Sequence, residues 1–401
     1  VTQPAYSTAL VLSDGTEVDT WDRYTIALDM LQPGSPWTAT MWRSDTRQTT
    51  WRVLRSKVKL LDRVMLTING APQLNGRIET FATRISRKSA TMEIGGRDLA
   101  GPALSWDADP TVRLKGLQLT AALEALFAPL RIPVLIGADV DQARIVQMGT
   151  TRGSRGVSRS SRRTPVCDRA APQPGEKVWQ LADEIARRLG YLLWTAPAQS
   201  GGLAVVVDRP AYSSASRFAF TRRVTNGAPE GNILDSAEEF NARAVPTVVN
   251  VYSGTARGAQ VSNRQRFAAE NLQLIDAEVN RGFVLDPPPT QPRHVRAQRA
   301  RTVAETAREG SRMVAEAMAD FRSYKCTVQG HGQDTDTGHL LYAINTMARV
   351  RDDVCTDANG NPLDESMLIT RVEFMRSRQT GTTTTVTLSP RDAISVVPQD
   401  V

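Results

Sequence analysis

The chain has 401 residues, 41% of them hydrophobic and 23% charged, which is ordinary globular usage over a length that exceeds one core, so two to four domains are expected. No apolar run approaches the roughly 18 residues of a membrane helix, and the opening VTQPAYSTALVL lacks a basic region leading into an apolar stretch. The expectation is a soluble, unexported protein with no membrane insertion. Cys167, Cys326 and Cys355 lie far apart without a C-x-x-C pair, so they read as free thiols of a reducing compartment. The formal net charge is +7, a balance that favours polyanionic neighbours without specifying them.

The first hundred residues are strand-like. Asp14-Gly15 and Asn69-Gly70, dipeptides that favour tight hairpins, each separate two extended runs. Partial alternation runs through 23–31, 63–68, 76–85 and 89–96, and about six short antiparallel strands are expected to close into a barrel or sandwich. The region ends at GGRDLAGPAL, residues 95–104. Gly96 and Gly101 have the spacing of a phosphate-binding loop, but Pro102 and Ala103 stand where its lysine and hydroxyl belong, so the glycines read as a sharp strand exit. Asp98, Asp107 and Asp109 cluster just beyond, where a hydrolase would use carboxylates; capping of turns and helix starts is the reading adopted.

After Asp109-Pro110 the hydrophobic period changes. Leu119, Ala122, Leu123, Leu126 and Phe127 define one face of a helix. Residues 151–170 then carry Arg152, Arg155, Arg159, Arg162, Arg163 and Arg169 against Asp168, with Ser and Gly but no aromatic residue. Such a segment cannot bury enough apolar surface to fold alone; it reads as a mobile surface loop, with a contact to a polyanion or an acidic subunit as the alternative. A second helix follows, with Val178, Leu181, Ala182, Ile185 and Leu189 on one face and Gly190 as its stop. YLLW and LAVVV form a short β pair.

Strand character returns at 246–254. A proline-rich stretch precedes a helix expected from about Val295 to Phe321, with Arg301, Arg308 and Arg312 on one stripe. Further strands follow over 324–331, 346–354 and 366–390. His331 and His339 bracket Asp334 and Asp336, but no third and fourth ligand share a recognisable spacing, so HGQDTDTGH reads as a polar turn. Asp357, Asn359 and Asn361 open like a calcium loop, yet Pro362 and Leu368 occupy the glycine and glutamate positions, and this too reads as a turn. The plan is α+β, mostly β: a β barrel over 1–110, an α+β insert over 111–235 with its basic loop at 151–170, and a second β barrel over 236–401 with a helix near 295–321. No repeat of 20 to 50 residues is visible. No G-x-S-x-G, H-E-x-x-H or paired Cys/His signature appears, so no enzyme, catalytic residue, cofactor or metal ligand is expected.

Three stretches together resemble the baseplate hub proteins of Mu-like contractile-tailed bacteriophages. The first matches at Gly76, Ile78, Gly96, Arg97, Asp98 and Leu99. The second is GEKVWQLADEIARRLGYLLW with Asn232, Ile233 and Leu234 downstream, and the third matches at Leu368, Ile369, Val372, Phe374, Gly381, Thr382, Pro390 and Ala393. The arginine loop and the proline-rich stretch are longer than the family pattern, and WTATMW replaces a more regular strand. The resemblance implies two tube-like barrels per chain and a homotrimeric, pseudo-sixfold ring in the virion tail baseplate, assembled in the host cytoplasm. It implies as partners the tail tube protein, the central spike protein and other baseplate subunits, with transient passage of DNA. The expected partner-binding residues are Arg152, Arg155, Arg159, Arg162 and Arg163. The competing readings are a basic nucleic-acid-binding protein, which the charge favours and the 6% aromatic content does not, and a tail-associated cell-wall hydrolase.

Overall fold

The computed structural model describes residues 6–42, 48–87, 90–114, 117–137, 140, 171–188, 191–197, 202–225, 228–240, 248–253, 266–270, 292–297, 322–335, 338–356 and 361–391. The architecture is α+β and mostly β, as the sequence pattern implies. The first β region contains β1 (Thr8–Leu12), β2 (Glu17–Val18), β3 (Arg23–Asp29), β4 (Pro36–Trp42), α1 (Gln48–Lys57), β5 (Arg63–Ile68), β6 (Ala71–Arg77), β7 (Thr80–Ile85) and β8 (Ala90–Arg97). Both expected hairpins form. At the β5–β6 turn Asn69 and Gly70 take φ of 51° and 75°, the left-handed pair that matches the twist of the flanking strands. At the β1–β2 turn Gly15 has φ +80° and the Asp14 carboxylate accepts the Thr16 N–H. Helix α1 was not expected in this strand-rich stretch; it buries Trp51 and Leu54, with Val58 just past its end, against the sheets.

The insert contributes α2 (Gly101–Ser105), α3 (Leu119–Phe127), β9 (Val134–Ile136), α4 (Val178–Arg188), β10 (Leu192–Pro197) and β11 (Leu203–Asp208). The helical faces read from the sequence are the buried ones: Leu119, Ala122, Leu123, Leu126 and Phe127 of α3 meet Val178, Leu181, Ala182 and Ile185 of α4 in a separate apolar core. Phe127 and Trp179 pack edge to face within it. Strand β11 pairs antiparallel with β10 and parallel with β9.

The remaining strands are β12 (Phe218–Thr225), β13 (Ala228–Gly231), β14 (Ile233–Phe240), β15 (Val248–Ser253), β16 (Arg266–Glu270), β17 (Pro292–Ala297), β18 (Arg322–Gln329), β19 (Gly332–Thr335), β20 (Gly338–Leu341), β21 (Thr346–Thr356), β22 (Pro362–Ser377) and β23 (Gly381–Pro390). Strand β17 pairs parallel with β15 through Ala297, so no helix starts at Val295; the rest of that expected helix, with Arg301, Arg308 and Arg312, lies outside the described residues. Strand β12, within the expected insert segment 111–235, pairs with β21 and buries Phe218 and Phe220 in the large β core.

The 16-residue β22 is the spine. Along one edge it pairs first with β21, through Leu363–Ile369, and then with β3, through Arg371–Arg376, while β23 runs along the other edge. A register shift at Thr370 marks the handover, and the Thr370 carbonyl accepts the Met30 N–H at 3.0 Å, a use for the residue that a bulge leaves outside the ladder. The two β regions therefore share one sheet, of order β13-β12-β21-β22-β3-β4-β8-β7, and one continuous apolar core.

Candidate functional site

No cluster of histidine, cysteine and carboxylate side chains suited to a metal ion occurs among the described residues. Several of the residues that carried the sequence resemblance gather at the seams of the β regions, while the GEKVWQLADEIARRLGYLLW stretch packs largely in the core of the insert. At the first seam β6 meets the end of β8. Gly76 bridges to Asp98, the Leu99 N–H bonds to the Asn75 carbonyl at 2.9 Å, and the Glu79 N–H bonds to the Gly95 carbonyl at 2.9 Å. A Cβ on Gly96 would overlap the Arg77 carbonyl oxygen, and one on Gly76 would press on the Arg97 carbonyl and the Trp37 indole. Both glycines are there because two backbones touch. Ile78 fills the core beneath, and Arg97 closes the outside with a forked ion pair to Glu79 at 2.9 Å.

Asp98 is the next link. Its buried carboxylate accepts the Ser35 N–H at 3.2 Å, the Ala100 N–H at 3.0 Å and the Thr195 hydroxyl at 2.7 Å, joining the first β region to the insert. Burial pushes its pKa up, and these hydrogen bonds only partly offset that. Asp107 instead pairs with Lys177 at 2.6 Å, and Asp109 accepts the Thr111 N–H and hydroxyl in a local turn. The three aspartates thus serve three separate structural tasks, and the glycines of GGRDL lie at the end of β8, where its backbone meets that of β6.

At the second seam Asn232 does the joining. Its side-chain oxygen accepts the Thr221 N–H at 2.8 Å, its side-chain amide donates to the Ala219 carbonyl at 2.8 Å, and its own N–H donates to the Thr221 carbonyl. The carboxamide imitates a strand partner for β12. The pairings β12-β21-β22-β23-β18-β14 form a six-strand path, and Asn232, at the start of β14, links its two ends. Behind this seam Asp352, fully buried, accepts hydrogen bonds from the Nε and Nη2 of Arg222 (2.9 and 2.7 Å), the Tyr324 hydroxyl (2.7 Å), the Ser236 hydroxyl (2.9 Å) and the Val354 N–H (3.0 Å). Burial alone would raise its pKa, but these donors outweigh it and hold the carboxyl at about 2. Burial pushes the neighbouring Cys326 thiol far up, which removes it as a nucleophile at neutral pH.

Both histidines of the HGQDTDTGH stretch join the two β regions. His331 is buried between the Tyr24 hydroxyl (2.7 Å) and the Thr384 hydroxyl (2.9 Å), and burial lowers its pKa to about 3, so it is neutral. His339 meets Asp334 at 2.8 Å and the Tyr6 hydroxyl at 3.0 Å across the β19–β20 hairpin, whose Asp336 lies outside the described residues. Arg378, in the β22–β23 turn, stacks on Trp42 at 4.2 Å and pairs with buried Asp22 at 2.7 Å. The terminal motif residues Leu368, Ile369, Val372 and Phe374 are fully buried along β22, and Gly381 (φ +71°) turns the chain into β23. The expected partner-binding residues Arg152, Arg155, Arg159, Arg162 and Arg163 lie outside the described residues, as do Cys167, Asp357, Asn359 and Ala393.

Residues 9–98 match the family described as Mu phage baseplate assembly protein GpP-like, N-terminal. No curated protein matches in sequence. Among solved structures, the tail protein from Neisseria meningitidis MC58 is similar with a TM-score of 0.70 at 20% identity, covering 98% of both chains. The 43 kDa tail protein of prophage MuSo2 from Shewanella oneidensis has a TM-score of 0.70 at 16% identity, covering 97% of this chain and 99% of the other. An Escherichia coli component of the type VI secretion system, described as structurally similar to the T4 bacteriophage tail proteins gp27 and gp5, has a TM-score of 0.52 at 9% identity over 97% of this chain and 79% of its own. The N-terminal β region is therefore similar to the Mu phage baseplate assembly protein family, and the fold as a whole is that of phage tail proteins.

Proposed function

We propose that the chain is the baseplate hub: a homotrimer whose two tube-like β barrels per chain form a pseudo-sixfold ring, matching a hexameric tail tube on one side and a trimeric spike on the other and leaving a passage for DNA. The observation that carries this reading is the pairing of β22 with β3, which makes the two β regions one sheet with one core. Three such rigid pairs present six β regions, and closed rotational symmetry turns a head-to-tail contact into a ring. Tyr24–His331–Thr384 and Arg378–Asp22 reinforce the same junction. The role asks for rigid interfaces and no catalytic group. On this reading the arginine run at 151–163 contacts acidic neighbours through the planar fork that suits carboxylates.

Sedimentation of the purified chain, alone and with its tail tube and spike partners, tests the proposal. A species of three chain masses, seen as a threefold ring with six similar lobes in electron micrographs, is expected. A chain that stays monomeric with both partners present would overturn it.

A further inference from the structure

Between the first β region and the insert lies a cleft of about 230 Å³. Arg63 and Arg77 enter it from β5 and β6, and Arg131 from the turn after α3. Leu99, Leu130 and Leu203 form part of its wall. Among the described residues no carboxylate lines it, and none of the three arginines has an ion pair. The Arg77 Nε is buried with no hydrogen-bond partner among them. A buried donor left unsatisfied beside two further unpaired guanidinium groups is costly unless an acceptor arrives from outside.

The cleft is also held open in advance. Asn75 donates its side-chain amide to the Gly202 carbonyl at 2.9 Å, tying β6 to the insert, and the Val205 N–H bonds to the Pro133 carbonyl at 2.9 Å. Arg131 sits at φ 55°, a left-handed conformation uncommon for a residue with a side chain, fixed by its N–H bond to Ala128. Preformed sites lose less ordering entropy on binding.

We propose that this cleft docks an acidic peptide segment of a neighbouring baseplate subunit, a carboxylate taken by Arg63, Arg77 and Arg131 and its aliphatic neighbour by the leucine wall. The identity of the partner as a baseplate subunit rests on the hub reading; the chemistry of the cleft does not. The volume suits one or two side chains and is below that of ordinary cofactor pockets. Nucleic acid would satisfy the arginines and leave the leucines unused.

The test is calorimetric titration of the full chain with acetyl-Leu-Asp-Leu-Glu-amide, its uncharged counterpart acetyl-Leu-Asn-Leu-Gln-amide, inorganic phosphate and a dT10 oligonucleotide. The acidic peptide is expected to bind about tenfold or more tighter than each of the other three, given the strength of charge-assisted forked hydrogen bonds. Arg63→Gln and Arg131→Asn, both at exposed positions, are each expected to weaken it about fivefold or more with an unchanged thermal transition. Equal binding of the uncharged peptide, phosphate or dT10, or unaltered binding by both variants, would overturn the proposal. Trimer formation with the tail tube and spike partners, measured on the same preparations, keeps the two readings apart: a chain that binds the acidic peptide but stays monomeric with both partners defeats the hub and leaves the cleft, and a trimer whose chain does not bind the peptide defeats the cleft alone.

Discussion

Asp98 and Asp352 are both buried carboxylates at seams, and they are held in opposite ways. Asp352 sits beside a cation: the Arg222 guanidinium, two hydroxyls and a backbone N–H keep it ionised. Asp98 has two N–H groups and one hydroxyl but, among the described residues, no ion pair, so burial dominates and its pKa rises. The second β region thus has a charged, fully partnered seam. The junction with the insert has a carboxylate that folding disfavours in its ionised form.

The largest expected effect comes from breaking the charged pair. Asp352→Ala leaves the Arg222 guanidinium, whose side chain is only 16% exposed, without its counter-ion, and strands the Tyr324 and Ser236 hydroxyls. A loss of about 3–5 kcal/mol in urea unfolding is expected. The pH dependence has a definite sign. The folded pKa of Asp352 lies below its ordinary value, so its stabilisation is present above about pH 4 and lost as pH falls toward 2. His331 acts in the same direction: lowered from 6.5 to about 3, it stabilises above pH 6.5 and loses this as pH falls toward 3. Acid unfolding of the wild type should begin below neutrality, and the Asp352→Ala variant should lack the lower part of that dependence.

Next in size is the backbone contact at the first seam. Gly96→Ala drives a methyl group into the Arg77 carbonyl, where neither strand has a flexible side chain to give way. A loss of about 1–3 kcal/mol is expected in the same assay. Gly15→Ala is a useful contrast: a Cβ there meets nothing within 4 Å, so only its φ of +80° resists, and the loss should be smaller.

These seams show what the sequence discloses and what it hides. Asp14-Gly15 and Asn69-Gly70 are legible because a hairpin turn is a local event, and the helical faces of α3 and α4 because a period of 3.6 repeats within a dozen residues. Helix α1 is missed although Trp51, Leu54 and Val58 have helical spacing, because ten residues between strands offer too few turns for the period to stand out. The β17 strand is missed because its partner β15 lies more than 40 residues earlier and pairs in parallel. Nothing local announces that β22 pairs with β3, more than 340 residues away. The seam residues are visible as a pattern, Gly76, Gly96, Asp98 and Asn232, but their reason is tertiary: each faces a backbone from a distant segment or one the chain returns to later. The arginine cleft has no sequence signature at all, since Arg63, Arg77 and Arg131 meet only after the insert folds against β5 and β6.

Asn232 sharpens the comparison by offering a neutral side chain, at the same seam as Asp352, to set beside the two carboxylates. Asn232→Ala leaves the Thr221 N–H and Ala219 carbonyl without their side-chain partner, and about 1–2 kcal/mol should be lost. Asn232→Asp keeps the acceptor but replaces the donor with an oxygen facing the Ala219 carbonyl, so it should lose at least as much at neutral pH and recover in acid. Equal stability of the Asp variant at pH 4 and pH 7 would mean the side chain is free to turn away, and that the seam is held by the backbone bond to Thr221 alone.

The smallest effect is expected at Asp98. Asparagine there can keep its oxygen toward Ser35 and Thr195 and gives up the bond from the Ala100 N–H, while removing a carboxylate that burial disfavours. These terms oppose each other, so Asp98→Asn should change stability by no more than about 1 kcal/mol at neutral pH. The informative quantity is the slope with pH. Because the folded pKa of Asp98 is raised, its contribution is fully present below the ordinary carboxylate pKa and is lost as pH rises through the folded value. The wild type should therefore lose stability relative to Asp98→Asn as pH is raised from about 4, the reverse of the trend produced by Asp352. Parallel curves for the two proteins in urea unfolding between pH 4 and pH 8 would show that the hydrogen bonds from Ser35, Ala100 and Thr195 compensate fully for burial, and the contrast between the two carboxylates would vanish.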